Sequence, residues 1–214
     1  MSTPIQCELI SWDSVSRLAY RLAERILDAE YRPDLVVAIA RGGYVPARLL
    51  CDFLQLYDLA SIRVEHYQAG AQQRHGARLK YPFAAEAADR RVLIVDDVCD
   101  SGETYQVALE HIAALDPSDI KTVALHFKQG ASFEPDYIAD ELTRWRWLIY
   151  PWAVTEDIGE FIRQMENLPL SAPDIARRLE SEHGIRISEQ RVSDIIHLAG
   201  FRSADCRPGT GRNA

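Results

Sequence analysis

Two rhythms of apolar residues alternate along the chain. Unbroken aliphatic runs at 35–40 and 92–95 read as strands buried on both faces, because a strand with one wet face would alternate apolar with polar residues. Helical spacing follows each run, over 45–53 and over 105–115. Upstream, Val15, Leu18, Leu22 and Ile26 share one helical face, with Asp13 or Ser14 as the cap, until Arg32-Pro33-Asp34 breaks the pattern. Residues 62–67 alternate like an exposed or edge strand, 120–128 give another strand, and 135–139 and 145–152 are aromatic-rich strand candidates. Strands alternating with helices predict an α/β domain built on a doubly wound, mostly parallel sheet.

Two stretches depart from this alternation. Residues 68–81 hold Gly70, Arg74, Gly76, Arg78 and Lys80 with no apolar period, as expected of a mobile loop able to close over an anionic substrate, or of a hairpin tip. From 156 onward only helical patterns remain, at 158–167, 172–182 and 188–199. Ser171 as a cap and Pro173 in the first turn mark the start of the second. The expected organisation is a main domain over 1–155, a small helical, helix-turn-helix-like module over 156–203, and a flexible tail over 204–214.

Composition narrows the function classes. A net charge of −8 argues against a chain that coats nucleic acid, and no apolar run reaches membrane-spanning length. The N-terminus lacks the basic-then-apolar pattern of a secretory signal, so a cytoplasmic location with no membrane partner is expected. Cys7, Cys51, Cys99 and Cys206 lie far apart without a Cys-x-x-Cys pair, which suggests neither a zinc site nor a disulfide framework. Cys99 sits among carboxylates that disfavour a thiolate and reads as a packing residue.

The chemistry concentrates where the two buried strands end. After the run at 92–95 come Asp96, Asp97 and Asp100, then Ser101-Gly102-Glu103-Thr104 leading into a helix. Such a turn offers backbone N–H groups and hydroxyls to an anion at the positive end of the helix, and phosphate suits it. Three carboxylates beside a phosphate need compensation, which diol hydroxyls and a divalent cation would supply. The run at 35–40 ends in Arg41-Gly42-Gly43, where a cation and side-chain-free backbone suggest a second anion site. Carboxyl ends of parallel strands line one crevice, so the two turns inform each other.

The string Val95-Asp96-Asp97-x-x-Asp100-Ser101-Gly102-x-Thr104 resembles the phosphoribosyl pyrophosphate signature of the type I phosphoribosyltransferases. Within that family the chain looks most like the bacterial xanthine-guanine enzymes, from Ser11-Trp12-Asp13 through the stretch 40–47 to Tyr150-Pro151-Trp152. The resemblance implies the type I fold and transfer of phosphoribose from phosphoribosyl pyrophosphate to a 6-oxopurine (hypoxanthine, guanine or xanthine), releasing pyrophosphate in purine salvage. By the same resemblance Arg41 and Gly42 receive the pyrophosphate. Asp96 and Asp97 engage the ribose hydroxyls and magnesium, with Asp97 the metal residue. Ser101, Gly102, Glu103 and Thr104 surround the 5′-phosphate, and Asp100 is the general base near the purine N7. Lys128 falls where the family places a donor over the exocyclic oxygen, selecting against adenine; Trp147 stacks on the base and Leu148 offers its backbone to the purine edge. The implied cofactor is Mg2+, and association into a homodimer is the family's habit.

Two features fall outside the pattern. Relatives carry an acid after Pro-Trp where Ala153 stands, leaving Glu156 or Asp157 as substitutes and the choice among the 6-oxopurines open. The helices over 171–199 suggest an alternative, a phosphoribosyl pyrophosphate- or nucleotide-sensing regulator that binds DNA. Glu189 and Asp194, which phosphates would repel, favour a packing or oligomerisation module instead.

Overall fold

The computed structural model describes residues 4–69, 74–83, 85–165 and 171–201, with side chains described outside 66–75. Along the chain run β1 (Cys7–Leu9), α1 (Trp12–Asp28), β2 (Leu35–Ala40), α2 (Tyr44–Phe53), β3 (Leu59–Ala69), β4 (Arg74–Tyr81) and β5 (Arg91–Cys99). Then come α3 (Glu103–Ala113), β6 (Asp119–Lys128), β7 (Tyr137–Leu142), β8 (Trp147–Ile149), α4 (Val154–Gln164), α5 (Ala172–His183) and α6 (Glu189–Leu198). They divide into two compact units, one of residues 13–145 and one that joins residues 1–12 to 146–214.

The larger unit is a six-stranded sheet in the order β4-β3-β2-β5-β6-β7, parallel except for β4. This is the expected mostly parallel α/β sheet. Every residue of β2 is buried, as are 92–96 of β5, because both faces are covered. On one face Leu35, Val37, Ile39, Val92 and Ile94 pack with Tyr105, Ala108 and Ile112 of α3. Strand geometry turns Val36, Ala38, Leu93 and Val95 to the other face, where they are equally buried, and α2 packs on β2 and β5. In α1 the four residues of the expected face, Val15, Leu18, Leu22 and Ile26, are all buried.

The chain from β2 turns outward to β3, while β5 lies on the opposite side of β2 and continues outward to β6 and β7. Between β2 and β5 the winding reverses, and there the connections leaving two neighbouring strands run in opposite directions from the carboxyl edge. Lining up Ala38 with Val95 and Cys99 with Phe127, the register brings the ends of β2, β5 and β6 to that same edge.

Three expectations need correction. Residues 62–67 belong to β3, which is paired on both sides and is no edge strand; β4 takes the edge. The segment 68–81 is largely a β-hairpin rather than a loop, its arms 59–69 and 74–81 paired antiparallel; the tip at 70–73 lies outside the described residues. Arg78 and Lys80 face Glu65 across that ladder at 2.8 and 2.7 Å, so basic residues read as a lid's charge are cross-strand partners. Of the candidate at 145–152 only β8 is strand, and it leaves the main sheet to pair in parallel with β1, which the sequence pattern did not reveal.

In the smaller unit, Ile149 of β8 shares one core with Ile158 and Ile162 of α4, Ile175 and Leu179 of α5, and Val192 and Ile195 of α6. Ser171 and Ser188 cap α5 and α6 by accepting the Asp174 and Arg191 amides. The apolar faces of the C-terminal helices are therefore filled by their own unit. Trp12 meets Trp152 at 5.9 Å with the rings tilted, and Tyr150 stacks on Trp152 at 4.8 Å, so an aromatic cluster joins the two segments of the unit. The end of the α4 pattern beyond 165, Cys206 and the tail over 204–214 lie outside the described residues. Among the described residues, no helix is long and apolar enough to cross a membrane.

Candidate active site

Three turns meet at the carboxyl edge of the larger unit's sheet. The first follows β2, where the Ala40–Arg41 peptide is cis and Arg41 is exposed. A Cβ on Gly42 would stand 2.5 Å from the Asp97 carboxylate, and one on Gly43 would stand 2.2 Å from the Val95 carbonyl oxygen. Side-chain-free residues are what let this turn lie against β5. Arg41-Gly42 and Asp97 are accordingly neighbours, as two turns lining one crevice require.

The second turn follows β5. Asp96 is buried, and its carboxylate accepts the Asp97 amide at 2.9 Å. Burial, and then the neighbouring Asp97 charge, push the Asp96 carboxyl well above the ordinary carboxylate range. Two acids crowded at a strand end in this way are stabilised by whatever brings positive charge or hydroxyl donors. Asp97 is half-buried beneath Gly42.

Beyond Cys99 the chain turns through Ser101 and Gly102 into α3. Gly102 has φ +90° and stands at the helix N-terminus with no side chain of its own, while the Ser101 hydroxyl accepts the Glu103 amide at 3.4 Å. A Cβ there would meet Phe133 at 2.6 Å. The turn is braced by the segment after β6: the Ser132 amide and hydroxyl both donate to the Ser101 carbonyl at 2.8 Å, and Phe133 stacks on the buried Tyr105 ring at 5.3 Å. Cys99 points its thiol at the Phe133 carbonyl, 3.3 Å away, and burial followed by Asp96 and Asp100 pushes it up to about 12. It is an unreactive packing residue, as expected.

The third turn follows β6. Lys128 is only 3 % exposed, and its ammonium meets the Asp100 carboxylate at 2.7 Å. Trp145, which the sequence reading did not single out, completes the cluster. Its indole N–H donates to the other Asp100 oxygen at 3.2 Å, and its ring lies 4.5 Å from the Lys128 ammonium. The structure thus gathers Arg41, Gly42, Asp96, Asp97, Asp100 to Thr104 and Lys128 along one edge of one unit.

Trp147 and Leu148 are carried by the smaller unit. They open β8, register against Cys7 and Glu8 of β1, and the Trp147 amide donates to the Gln6 carbonyl at 2.9 Å. Leu148 is buried and Trp147 is 39 % exposed, so the tryptophan is not consumed by the core. Ala153 is the residue before α4, and Glu156 and Asp157 fall in that helix's first turn. Asp157 lies near Cys7, whose thiol is pushed up to about 11 by burial and then by that charge. In α6, Gln190 donates to Asp194 at 3.0 Å within the same helix.

Among the described residues, no three His, Cys, Asp or Glu are grouped as a complete metal cage. The donor chemistry at the second turn is a pair of hard carboxylates. Magnesium suits such a pair, since it keeps waters and binds through one or two acids together with substrate phosphates.

Comparison with known proteins gives the following. A model of the phosphoribosyl transferase domain matches residues 9–156. The xanthine-guanine phosphoribosyltransferase of Roseobacter denitrificans is 35% identical over 153 residues, covering 67% of this chain and 83% of that one. That of Idiomarina loihiensis is 28% identical over 144 residues, covering 67% and 84%. Among solved structures, a purine phosphoribosyltransferase from Pyrococcus horikoshii superposes with a TM-score of 0.61 at 32% identity, covering 69% of this chain and 94% of that one.

Proposed function

The chain belongs to the phosphoribosyltransferase family, and from that premise we propose that it transfers phosphoribose from phosphoribosyl pyrophosphate to a 6-oxopurine base, releasing pyrophosphate. The relatives it matches are purine phosphoribosyltransferases, which supports a purine acceptor. The observation that carries the reading is the convergence of an Arg-Gly-Gly turn, a paired-acid strand end, a hydroxyl-bearing helix start and a buried lysine at neighbouring strand ends.

Each group has work suited to its surroundings. Exposed Arg41 and the close-lying Gly42 backbone receive the departing pyrophosphate. The helix start at 101–104 holds the 5′-phosphate with amides, hydroxyls and the dipole of α3. Asp96, whose carboxyl is raised by burial and then by its neighbour, and Asp97 engage the ribose diol. The same two acids would hold magnesium, which when bound neutralises negative charge on the leaving group.

As the purine nitrogen attacks the anomeric carbon, the C–O bond to pyrophosphate breaks and the base must shed a proton. Asp100 accepts it or stabilises the cationic ring. Lys128, paired to Asp100 at 2.7 Å, donates to a 6-oxo group and opposes a 6-amino group, which has only hydrogens to offer. A cytoplasmic setting and association with a second copy of the chain complete the reading.

The deciding assay measures pyrophosphate release by purified protein with hypoxanthine, guanine, xanthine and adenine in turn. Turnover with one or more 6-oxopurines and little with adenine is expected. Activity with adenine alone defeats the role of Lys128, and activity with no purine defeats the whole reading.

A further inference from the structure

We infer that Trp145 is a positioning residue that clamps Lys128 and Asp100 together and thereby sets the preference for 6-oxo over 6-amino purines; this rests on the reading of the site as a purine phosphoribosyltransferase. Trp145 lies in the connection between β7 and β8 and is 54 % exposed, an unusual station for an indole that serves only as core. It is nevertheless tied at two points. Its N–H reaches one oxygen of Asp100 at 3.2 Å, while the other oxygen takes the Lys128 ammonium at 2.7 Å, and its ring face closes over that ammonium at 4.5 Å.

The physical need for such a clamp follows from lysine itself. A lysine carries its charge on a flexible four-carbon stem with three rotatable donors. A loosely held ammonium can swing away from an amino group and accept the wrong base at small cost. A fixed one cannot, and leaves donors facing donors, which is how a site rejects an analogue strongly rather than weakly. The Lys128 side chain is only 4 % exposed, so its surroundings hold the stem and its direction is set at the tip. There the Asp100 carboxylate and the indole face bound the ammonium on two sides. The same indole N–H orients the carboxylate, so one side chain aligns both the donor to the oxo group and the acceptor near the ring nitrogen.

The test compares wild type, Trp145→Ala and Trp145→Phe, measuring kcat/KM with hypoxanthine and with adenine at saturating phosphoribosyl pyrophosphate, together with the unfolding transition. Trp145→Ala is expected to lower the hypoxanthine-to-adenine ratio about tenfold or more, chiefly through KM for the base, with KM for phosphoribosyl pyrophosphate within about twofold of wild type. Trp145→Phe keeps a ring face over Lys128 but lacks the N–H to Asp100, and should recover part of the ratio. An unchanged ratio in a folded Trp145→Ala protein overturns the inference. Should that variant not fold, the phenylalanine variant decides alone: a several-fold lower ratio supports the clamp and a wild-type ratio refutes it. Loss of stability with selectivity intact would assign Trp145 a packing role only. A wild-type protein that uses no purine at all removes the premise, an outcome distinct from a wild-type enzyme whose selectivity ignores residue 145.

Discussion

The two edges of the six-stranded sheet treat their charges in opposite ways. At the amino edge, Asp34 just before β2 accepts from the Arg91 amide and from both ends of its guanidinium at 2.9–3.0 Å, and Arg90 reaches the Asp34 carbonyl and Asp58. Asp136 before β7 likewise takes the Thr122 amide and hydroxyl and the Lys121 ammonium. Hydrogen bonds from Arg91 hold the Asp34 carboxyl down at about 2, and Asp136 is also lowered, by its bonds from Thr122 and Lys121 outweighing burial. At the carboxyl edge, Asp96 is raised by burial and by its neighbour. One edge satisfies its acids from within the chain and serves the fold. The other pairs Asp100 with Lys128 but leaves Asp96 and Asp97 crowded, an arrangement that costs stability and that a proposed ligand would meet as charge already ordered.

The largest effect that would sharpen this contrast belongs to Asp100→Asn. It should lower kcat by about a hundredfold or more while phosphoribosyl pyrophosphate still binds, as read by pyrophosphate release at saturating substrates and by titration with the sugar diphosphate. Unchanged kcat would refute the proposed role of Asp100 as base. Next comes Gly43→Ala, whose Cβ would lie 2.2 Å from the Val95 carbonyl oxygen, backbone that cannot turn aside. A loss of about 1–3 kcal/mol in denaturant unfolding is expected, and an unmoved midpoint would show that the two turns are not packed as tightly as described.

The smallest effect is at the amino edge. Asp34 titrates lower folded than unfolded, so its contribution is complete above the unfolded value of about 4 and disappears as pH falls through about 2. The gap between wild type and Asp34→Asn, under about 1 kcal/mol for an exposed pair, should hold from neutrality to about pH 5 and close on further acidification. A gap that persists at the acid end would mean that shape rather than charge holds this edge.

Much of the larger unit was legible because its central strands are buried on both faces and show it as unbroken aliphatic runs. β2 and β5, with the glycine turns after them, could be read from the order of residues alone. The arm at 74–81 could not, since Arg-His-Gly-Ala-Arg-Leu-Lys-Tyr is polar and is held in strand form by pairing with β3 rather than by an apolar period. That hidden arm also displaced β3 from the edge. β1 has three residues and no rhythm to detect. Trp145 escaped because it sits in an aromatic string that reads as strand, while its hydrogen-bond partner Asp100 lies 45 residues away. No local spacing announces such a partner. The C-terminal helices were recognised by period and caps, but not that they share one core with β8.

The brace from Ser132 to the Ser101 carbonyl places a condition on how the protein matures. The bend at 101–104 cannot be completed by the segment from β5 to α3 alone; synthesis must first carry the chain out along β6 and beyond it to Ser132. A nascent chain halted within β6 would hold the bend's whole sequence without its two supports. The finished shape of that bend should therefore arise late and together with the far half of the sheet, rather than as an early local event.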